Sequence, residues 1–159
     1  MRAVVQRVRE AGVRWDGGQA AIGHGFLILL GVAEGDTEAD AEQLAKKIRR
    51  LRVFSDGEGK FNLDSSQVGA QFLVVSQFTL FAEARGQNRP SFLKAARPEL
   101  GRTLMDRFCA FVGRGGARVA SGSFGAHMSV SLVNDGPVTL VLSTDVWDPR
   151  IARPAEPLL

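Results

Sequence analysis

The sequence is poor in the residues that support disulfide, metal and thiol chemistry. Its 159 residues include one cysteine, Cys109, and two histidines, His24 and His127. A single cysteine excludes an internal disulfide. The histidines and the cysteine lack the spacing of metal ligands, so we expect no metal site. Cys109 falls on the apolar side of a predicted helix, and we interpret it as a core residue and not a nucleophile.

The sequence also lacks long apolar runs and the common phosphate-binding motifs. No apolar run reaches the roughly 18 residues that cross a bilayer. The N-terminal MRAVVQRVRE carries charges inside its apolar stretch, which is not typical of a secretory signal, so we expect a cytoplasmic protein. Neither a Walker phosphate loop nor a Rossmann glycine fingerprint is present. A net charge of +3 with a pI near 9.6 is only a weak indication of a polyanionic partner.

The sequence does contain a series of short strands around two amphipathic segments. Apolar and valine-rich stretches predict strands at 2–8, 26–32, 71–75, 117–121, 127–133 and 137–143, with a hairpin over 11–23. Helical spacing of apolar residues predicts one helix from Thr37 and a second over 97–113. Residues 54–70 are expected to be mostly loop. This order predicts an α+β fold in which mostly antiparallel strands curl into a sandwich or barrel, with two main helices outside.

The length suits a single domain with one core. We place this domain at residues 1–145. The C-terminal extension, residues 146–159, contains three prolines, and we expect it to be extended or flexible.

The segment Ser76-Gln77-Phe78-Thr79 follows a buried strand and has two interpretations. Functional residues commonly lie at strand ends, where free main-chain N–H groups can form an oxyanion hole. The alternative is a strand that continues to Phe81 with Gln77 and Thr79 facing water, and periodicity favours this alternative. A Ser-His-Asp triad built on Ser76 is disfavoured, because nucleophile-elbow glycines do not surround it.

The segment Asn134-Asp135-Gly136-Pro137 separates the last two predicted strands. Local rules predict a turn here, with Pro137 at the first position of a strand. Only about 5–6% of X-Pro bonds in folded proteins are cis, so the same rules predict a trans Gly136-Pro137 bond. A cis bond would orient the two carbonyls differently and would indicate a selected function.

The chain resembles the D-aminoacyl-tRNA deacylase family over about residues 1–145. The matching segments are MRAVVQRV, LLGVAEGDTEADAEQLAKKI, LRVFSDGEGKFNLD, VVSQFTLFA, NRPSF and SFGAHMSVSLVNDGPVT. Within them, SQFT and NDGPVT in this order and spacing form a specific pair of signatures. The resemblance implies hydrolysis of the ester bond of D-aminoacyl-tRNA, and of glycine mischarged on tRNA. It also implies a homodimer with the active site at the interface, and neither a metal nor an organic cofactor.

The resemblance also implies roles for the residues of the first motif. The main-chain N–H groups of Phe78 and Thr79 are expected to polarise the ester carbonyl, while Ser76 and Gln77 shape the pocket. Thr79 resembles the residue that has been a candidate nucleophile in this family. We favour attack by water, assisted by the ribose 2′-hydroxyl of the substrate, because the sequence offers Thr79 no partner base.

The remaining roles concern the adenosine and the chirality of the amino acid. Phe124, Gly125 and Met128 match the part of the family that holds the terminal adenine by stacking and apolar contact. The resemblance implies that Gly136-Pro137 is a cis pair inserted into the partner subunit's site, where it excludes an L side chain. Arg7 is expected to support this loop.

Two other classes of function stay open. A serine hydrolase would use Ser76 with a histidine. A catalytically silent RNA-binding module would bind tRNA without turnover, although the modest net charge counts against tight RNA binding as the only function.

Overall fold

The computed structural model describes residues 1–147. An extended or flexible tail is predicted for residues 146–159. Of these, residues 148–159 lie outside the described part. Residues 1–147 form the strands β1 Arg2–Trp15, β2 Gly18–Ile22, β3 Gly25–Gly31, β4 Phe54–Ser55, β5 Phe61–Leu63, β6 Gln71–Ser76, β7 Val119–Ser121 and β8 Met128–Ser143. The helices are α1 Glu38–Arg49, the 3₁₀ helix Phe78–Phe81 and α2 Pro98–Val112.

Strand β1 is the centre of the sheet. One of its edges pairs antiparallel with β3 in its first half and with β2 in its second half, while the other edge pairs antiparallel with β8. Strands β3, β6 and β7 continue the sheet in parallel. The predicted architecture is therefore confirmed at the level of an α+β fold with two main helices, but the sheet is mixed. The strand predicted at 2–8 also runs uninterrupted into the predicted hairpin.

The sheet curls into a nearly closed, barrel-like surface. Arg118 beside β7 donates to the carbonyl oxygen of Ala21 in β2 at 3.1 Å, and Gln71 in β6 accepts from the N–H of Gly23 at 3.0 Å. Inside the curl lies a small apolar cluster, formed by Val8, Ala11, Val13, Ile22, Leu27, Leu73 and Val75. The curl therefore encloses a second core, separate from the main one.

The two helices cover the other face of the sheet and bury the main core. Helix α1 contributes Ala41, Leu44, Ala45 and Ile48, and α2 contributes Leu104, Met105, Phe108 and Val112. The two helices predicted from the spacing of apolar residues are therefore confirmed. Neither of these helices is long and apolar enough to cross a bilayer, in the part of the chain that the structure describes.

A capping box explains why α1 begins where it does. The hydroxyl of Thr37 accepts from the N–H of Asp40 at 3.4 Å, and the Asp40 carboxylate accepts from the N–H of Thr37 at 2.8 Å. The Thr37 hydroxyl also donates to this carboxylate and, with the backbone bond, lowers the pKa of Asp40. The cap therefore favours a charged Asp40 at the helix N-terminus, where the helix dipole stabilises negative charge.

The prediction that residues 54–70 are mostly loop is confirmed, because only five of these seventeen residues lie in strands. Strands β4 and β5 form a short antiparallel ladder within this range. The Asp56 carboxylate accepts from the N–H groups of Glu58 and Lys60 and so closes the turn between them. Strands of two and three residues are too short to produce a recognisable alternation of apolar and polar residues.

The prediction of a turn at Asn134–Pro137 that separates two strands is wrong. Strand β8 passes through this segment and pairs with β1 on both sides of it, with shifts of register between Gln6 and Val8 and between Val8 and Glu10. The segment is thus a bulge in one long strand. The Gly136-Pro137 bond is cis, so the trans geometry predicted by local rules is wrong.

Cys109 provides a test of this packing. It lies half-buried on α2 against the main core, and burial, with a smaller contribution from Asp106, raises the pKa of its thiol to about 11. Because the thiolate is the reactive form, we expect alkylation by iodoacetamide at pH 8 to be about a hundredfold slower in the native protein than after denaturation in guanidinium. Mass spectrometry of timed samples measures both rates. Equal rates would contradict a core position for Cys109.

Candidate active site

The first motif lies at a change of backbone structure. Strand β6 ends at Ser76, and the N–H of Gln77 donates the last ladder bond to Leu30 at 2.8 Å. The chain then turns into the 3₁₀ helix Phe78–Phe81, which buries Phe81 and leaves Phe78 and Thr79 exposed. The strand to Phe81 that periodicity favours is therefore wrong.

The change of structure depends on close packing against β3. A Cβ atom at Gly31 would lie 3.0 Å from the carbonyl oxygen of Gln77 and 3.0 Å from the ring of Phe81. Glycine at this position lets the 3₁₀ helix approach the sheet and seat Phe81 on it. The same packing fixes Phe78 and Thr79 at the surface.

A cavity of about 690 Å³ lies beside this helix. It is bounded by the end of β6, the first half of α2 and the segment that leads into β8. Six of the predicted site residues line it together: Ser76, Gln77, Phe78, Phe124, Gly125 and Met128. Four do not line it: Arg7, Thr79, Gly136 and Pro137. The structure therefore brings the first three residues of the SQFT motif and the predicted adenine-binding residues together, but leaves the second motif apart from the cavity of its own chain.

The backbone donors of the first motif are available for a ligand. Phe78 and Thr79 occupy the first turn of the 3₁₀ helix, where N–H groups have no intrahelical acceptor. Within residues 1–147, neither N–H finds another hydrogen-bond acceptor. The Thr79 hydroxyl accepts a hydrogen bond from the side chain of Gln77. These two N–H groups, one of them on a residue that lines the cavity, form a pair of free donors.

The cavity offers few groups for acid–base chemistry. Across the described residues, its lining contains no Asp or Glu, and its ionisable side chains are Arg102 and His127. Ser76 lines the same cavity as His127, yet the structure of residues 1–147 shows no hydrogen bond between Ser76 and either histidine. The described residues hold no cluster of three or more His, Cys, Asp or Glu suited to a metal ion. The lining therefore favours stabilisation of charge by backbone donors.

Two residues of the cavity carry no assignment from the sequence. Phe92 packs edge-on against Phe78, with ring centroids 5.2 Å apart. The guanidinium of Arg102 lies over the ring of Phe124 at 4.9 Å from its centroid. Phe92 belongs to NRPSF, which supports the resemblance without implying a role for it. Arg102 has the pattern of an ordinary exposed helix residue, so its contact with Phe124 has no sequence signal.

The bulge that carries Gly136-Pro137 is held from behind by Arg7. This arginine is 7% exposed, and its Nε donates to the carbonyl oxygen of Asp135 at 2.7 Å. Its Nη1 donates to the carbonyl oxygen of Val53 at 2.5 Å, and Nε lies 3.7 Å from the Asp135 carboxylate. The guanidinium thus joins the bulge to β1 and to the chain before β4.

The bulge is also closed at its base by Asn134. The side-chain oxygen of Asn134 accepts from the N–H of Val138 at 2.7 Å, and its side-chain nitrogen donates to the Val138 carbonyl at 3.2 Å. Val138 is buried, whereas Gly136 and Pro137 are exposed. Gly136 and Pro137 therefore project outward from the protomer surface.

Position 136 requires glycine for reasons internal to the chain. Its φ of +151° lies in a region that residues other than glycine rarely adopt. A Cβ atom there would lie 2.6 Å from Val138 Cγ2 and 2.8 Å from the Val138 nitrogen. The projecting pair is thus a shape that this backbone allows only with glycine.

The chain is similar to known proteins over nearly its whole length. The sequence profile of a family described as D-Tyr-tRNA(Tyr) deacylase matches residues 4–143. A D-aminoacyl-tRNA deacylase from Chloroflexus aurantiacus is 57% identical and covers 96% of both chains. A D-aminoacyl-tRNA deacylase from Dehalococcoides mccartyi is 52% identical, over 95% of this chain and 100% of its own.

Two solved structures have the same fold. A c-Myc DNA unwinding element binding protein is 38% identical with a TM-score of 0.85, over 92% of this chain and 100% of its own. A probable eukaryotic D-amino acid tRNA deacylase has a TM-score of 0.74 at 19% identity, over 89% of this chain and 97% of its own, and shows the likeness of fold alone. With the profile matching nearly the whole chain and relatives above 50% identity, the chain belongs to the D-Tyr-tRNA(Tyr) deacylase family.

Proposed function

We propose that the protein is a cytoplasmic enzyme whose single domain spans residues 1–145. In this proposal it hydrolyses the ester bond of D-aminoacyl-tRNA, and of glycine mischarged on tRNA. The products are free tRNA and the amino acid. Family membership and relatives named D-aminoacyl-tRNA deacylase support the deacylase activity. The observation that carries the proposal is the cavity where the SQFT motif meets Phe124, Gly125 and Met128.

In this proposal the cavity holds the 3′-terminal adenosine of the tRNA. The adenine stacks on Phe124 and contacts Met128, and Gly125 leaves room for the base beside the main chain. Stacking on an aromatic ring tolerates the rest of the tRNA sequence, since it uses the face of the base. The aminoacyl ester then extends toward Ser76 and Gln77, which shape the pocket.

The N–H groups of Phe78 and Thr79 stabilise the negative charge that develops on the ester carbonyl oxygen. Their lack of another acceptor supports this assignment. Water attacks the carbonyl with help from the ribose 2′-hydroxyl of the substrate, because the cavity lining provides no carboxylate base. Thr79 acts through its N–H and not as a nucleophile, since its hydroxyl accepts from Gln77 and has no adjacent base.

The selection between D and L requires a second subunit. Strand β8 exposes Val130, Leu132, Val133 and Val141, which are between 37% and 51% exposed, and its outer edge pairs with no strand within residues 1–147. Exposed apolar surface on an unpaired edge strand is typical of an interface. We propose a homodimer that covers this surface.

In the dimer, Gly136-Pro137 of each protomer enters the cavity of the other. The exposure of this pair, and its position outside the lining of its own cavity, support the arrangement. Arg7 and Asn134 hold it rigidly in place. An L side chain meets its carbonyls and ring, a D side chain points away, and glycine has no side chain that can be refused.

The oxyanion role of Phe78 can be tested by removing its N–H. Proline is tolerated at the first position of a helix, which Phe78 occupies, so Phe78→Pro deletes the donor with little demand on the fold. We expect kcat/KM for D-aminoacyl-tRNA to fall by about 10²–10³-fold, the usual effect of losing one such donor. Initial rates of deacylation over a range of substrate concentrations measure it.

Phe78→Ala is the matched control, because it removes the same ring but keeps the N–H. Its kcat/KM should stay well above that of Phe78→Pro, and the thermal midpoints of both variants check that they fold. Equal activities of the two variants would show that the N–H is not a catalytic donor.

The role of the second motif can be tested at Gly136. Gly136→Ala adds a methyl group to the projecting pair and displaces it against Val138, so we expect at least a tenfold loss of both D-aminoacyl-tRNA and glycyl-tRNA turnover. Gly57→Ala is a matched control, since nothing lies within 4 Å of a Cβ there. Full activity of a folded Gly136→Ala protein would contradict a pocket-facing glycine.

A further inference from the structure

Arg102 differs from the other arginines in and next to α2. The neighbouring Arg97, Arg107 and Arg114 each pair with a glutamate, at 3.1, 3.6 and 2.5 Å respectively. Arg102 makes no ion pair or hydrogen bond with any group in residues 1–147, although Glu99 lies three positions before it on the same helix. Its guanidinium instead lies over the ring of Phe124. Of these four arginines, Arg102 is therefore the one that has no counterion within residues 1–147.

The position of Arg102 in the cavity indicates what kind of ligand it could bind. Arg102 lines the same cavity as Phe124 and Gly125, and no carboxylate of the described residues lines that cavity. A guanidinium that stacks on an aromatic ring keeps its planar N–H groups free at the edge of the stack. Those donors match two oxygens of one phosphate group, in the bidentate geometry that arginine favours. The surroundings therefore suit an anion placed beside the ring of Phe124.

We propose that Arg102 forms a phosphodiester subsite at the rim of the cavity, which binds the phosphate that links the terminal adenosine to the preceding nucleotide. The inference rests on the proposed function, in which the terminal adenine stacks on Phe124. A base on that ring carries its own 5′-phosphate only one sugar away, and Arg102 is in direct contact with the same ring. Arg102 thus reads the continuation of the RNA chain beyond the adenosine.

The test uses two small substrates, only one of which carries this phosphate. One is adenosine esterified at its ribose with a D-amino acid, and the other is the dinucleotide CpA with the same ester. The wild-type protein should hydrolyse the CpA ester with a kcat/KM roughly tenfold higher, the contribution expected of a charge-assisted pair. This preference should decline as salt rises, because phosphate contacts are screened and release counterions.

The variants separate phosphate binding from support of the ring. Arg102→Ala should lose the preference for CpA, and the loss should appear as a higher KM for the CpA ester. Arg102→Lys keeps the charge and should retain part of the preference. Arg107→Ala, on the same helix but paired with Glu38, should behave like the wild type.

The outcomes are distinct. A similar loss on both esters in Arg102→Ala would mean that Arg102 only positions Phe124, and would overturn the subsite. A wild-type protein that hydrolyses both esters equally would overturn the subsite and leave the proposed function intact. A wild-type protein that hydrolyses neither ester, nor D-aminoacyl-tRNA, would overturn both.

Discussion

The buried guanidinium of Arg7 is the interaction on which the second motif depends. A buried charge is unfavourable unless it is paired and hydrogen-bonded, and Arg7 meets this condition with two carbonyl oxygens and the nearby Asp135 carboxylate. Those partners come from the chain before β4 and from the bulge in β8, while Arg7 itself belongs to β1. One side chain therefore fixes the central strand, a neighbouring loop and the projecting Gly136-Pro137 pair relative to one another.

The proposed chemistry of the cavity also uses few side chains. The donors proposed for the ester carbonyl are main-chain N–H groups, and the cavity lining has no carboxylate in the part of the chain that the structure describes. The proposed chirality filter is also mostly main chain, because Gly136 has no side chain and Pro137 adds only its ring. A filter made of backbone senses where a side chain points and not what the side chain is. The proposed enzyme should therefore accept D-amino acids of many kinds, while Phe124 and Arg102 recognise the RNA end that all substrates share.

The sequence predicts those parts of the fold that depend on neighbours in the chain. The capping pair of Thr37 and Asp40 and the helical spacing after it place α1 correctly. The 3₁₀ helix after Ser76 is not visible in the same way, because it depends on packing of Phe81 against Gly31 of a distant strand. Similarly, the bulge at Gly136 depends on Arg7, which is far from it in the sequence. Local rules therefore predict only a plain turn.

The site shows the same division. Phe78 and Phe124 meet because β6 and β7 pair in parallel and both lead toward the cavity, which periodicity does not reveal. The family resemblance supplies six lining residues that spacing alone does not connect. It does not supply Arg102, whose distinction is a missing counterion and a contact with Phe124. Such features exist only in three dimensions.

The central claim is that each site combines the cavity of one protomer with Gly136-Pro137 of the other. Complementation between two impaired subunits tests it most directly. One subunit carries Phe78→Pro and an intact second motif, and the other carries Gly136→Ala and an intact cavity; mixed dimers are isolated through two different tags. A site shared between subunits predicts that the mixed dimer regains about half of the wild-type rate on D-aminoacyl-tRNA, since one of its two sites is complete. A mixed dimer no more active than its parents would contradict the account.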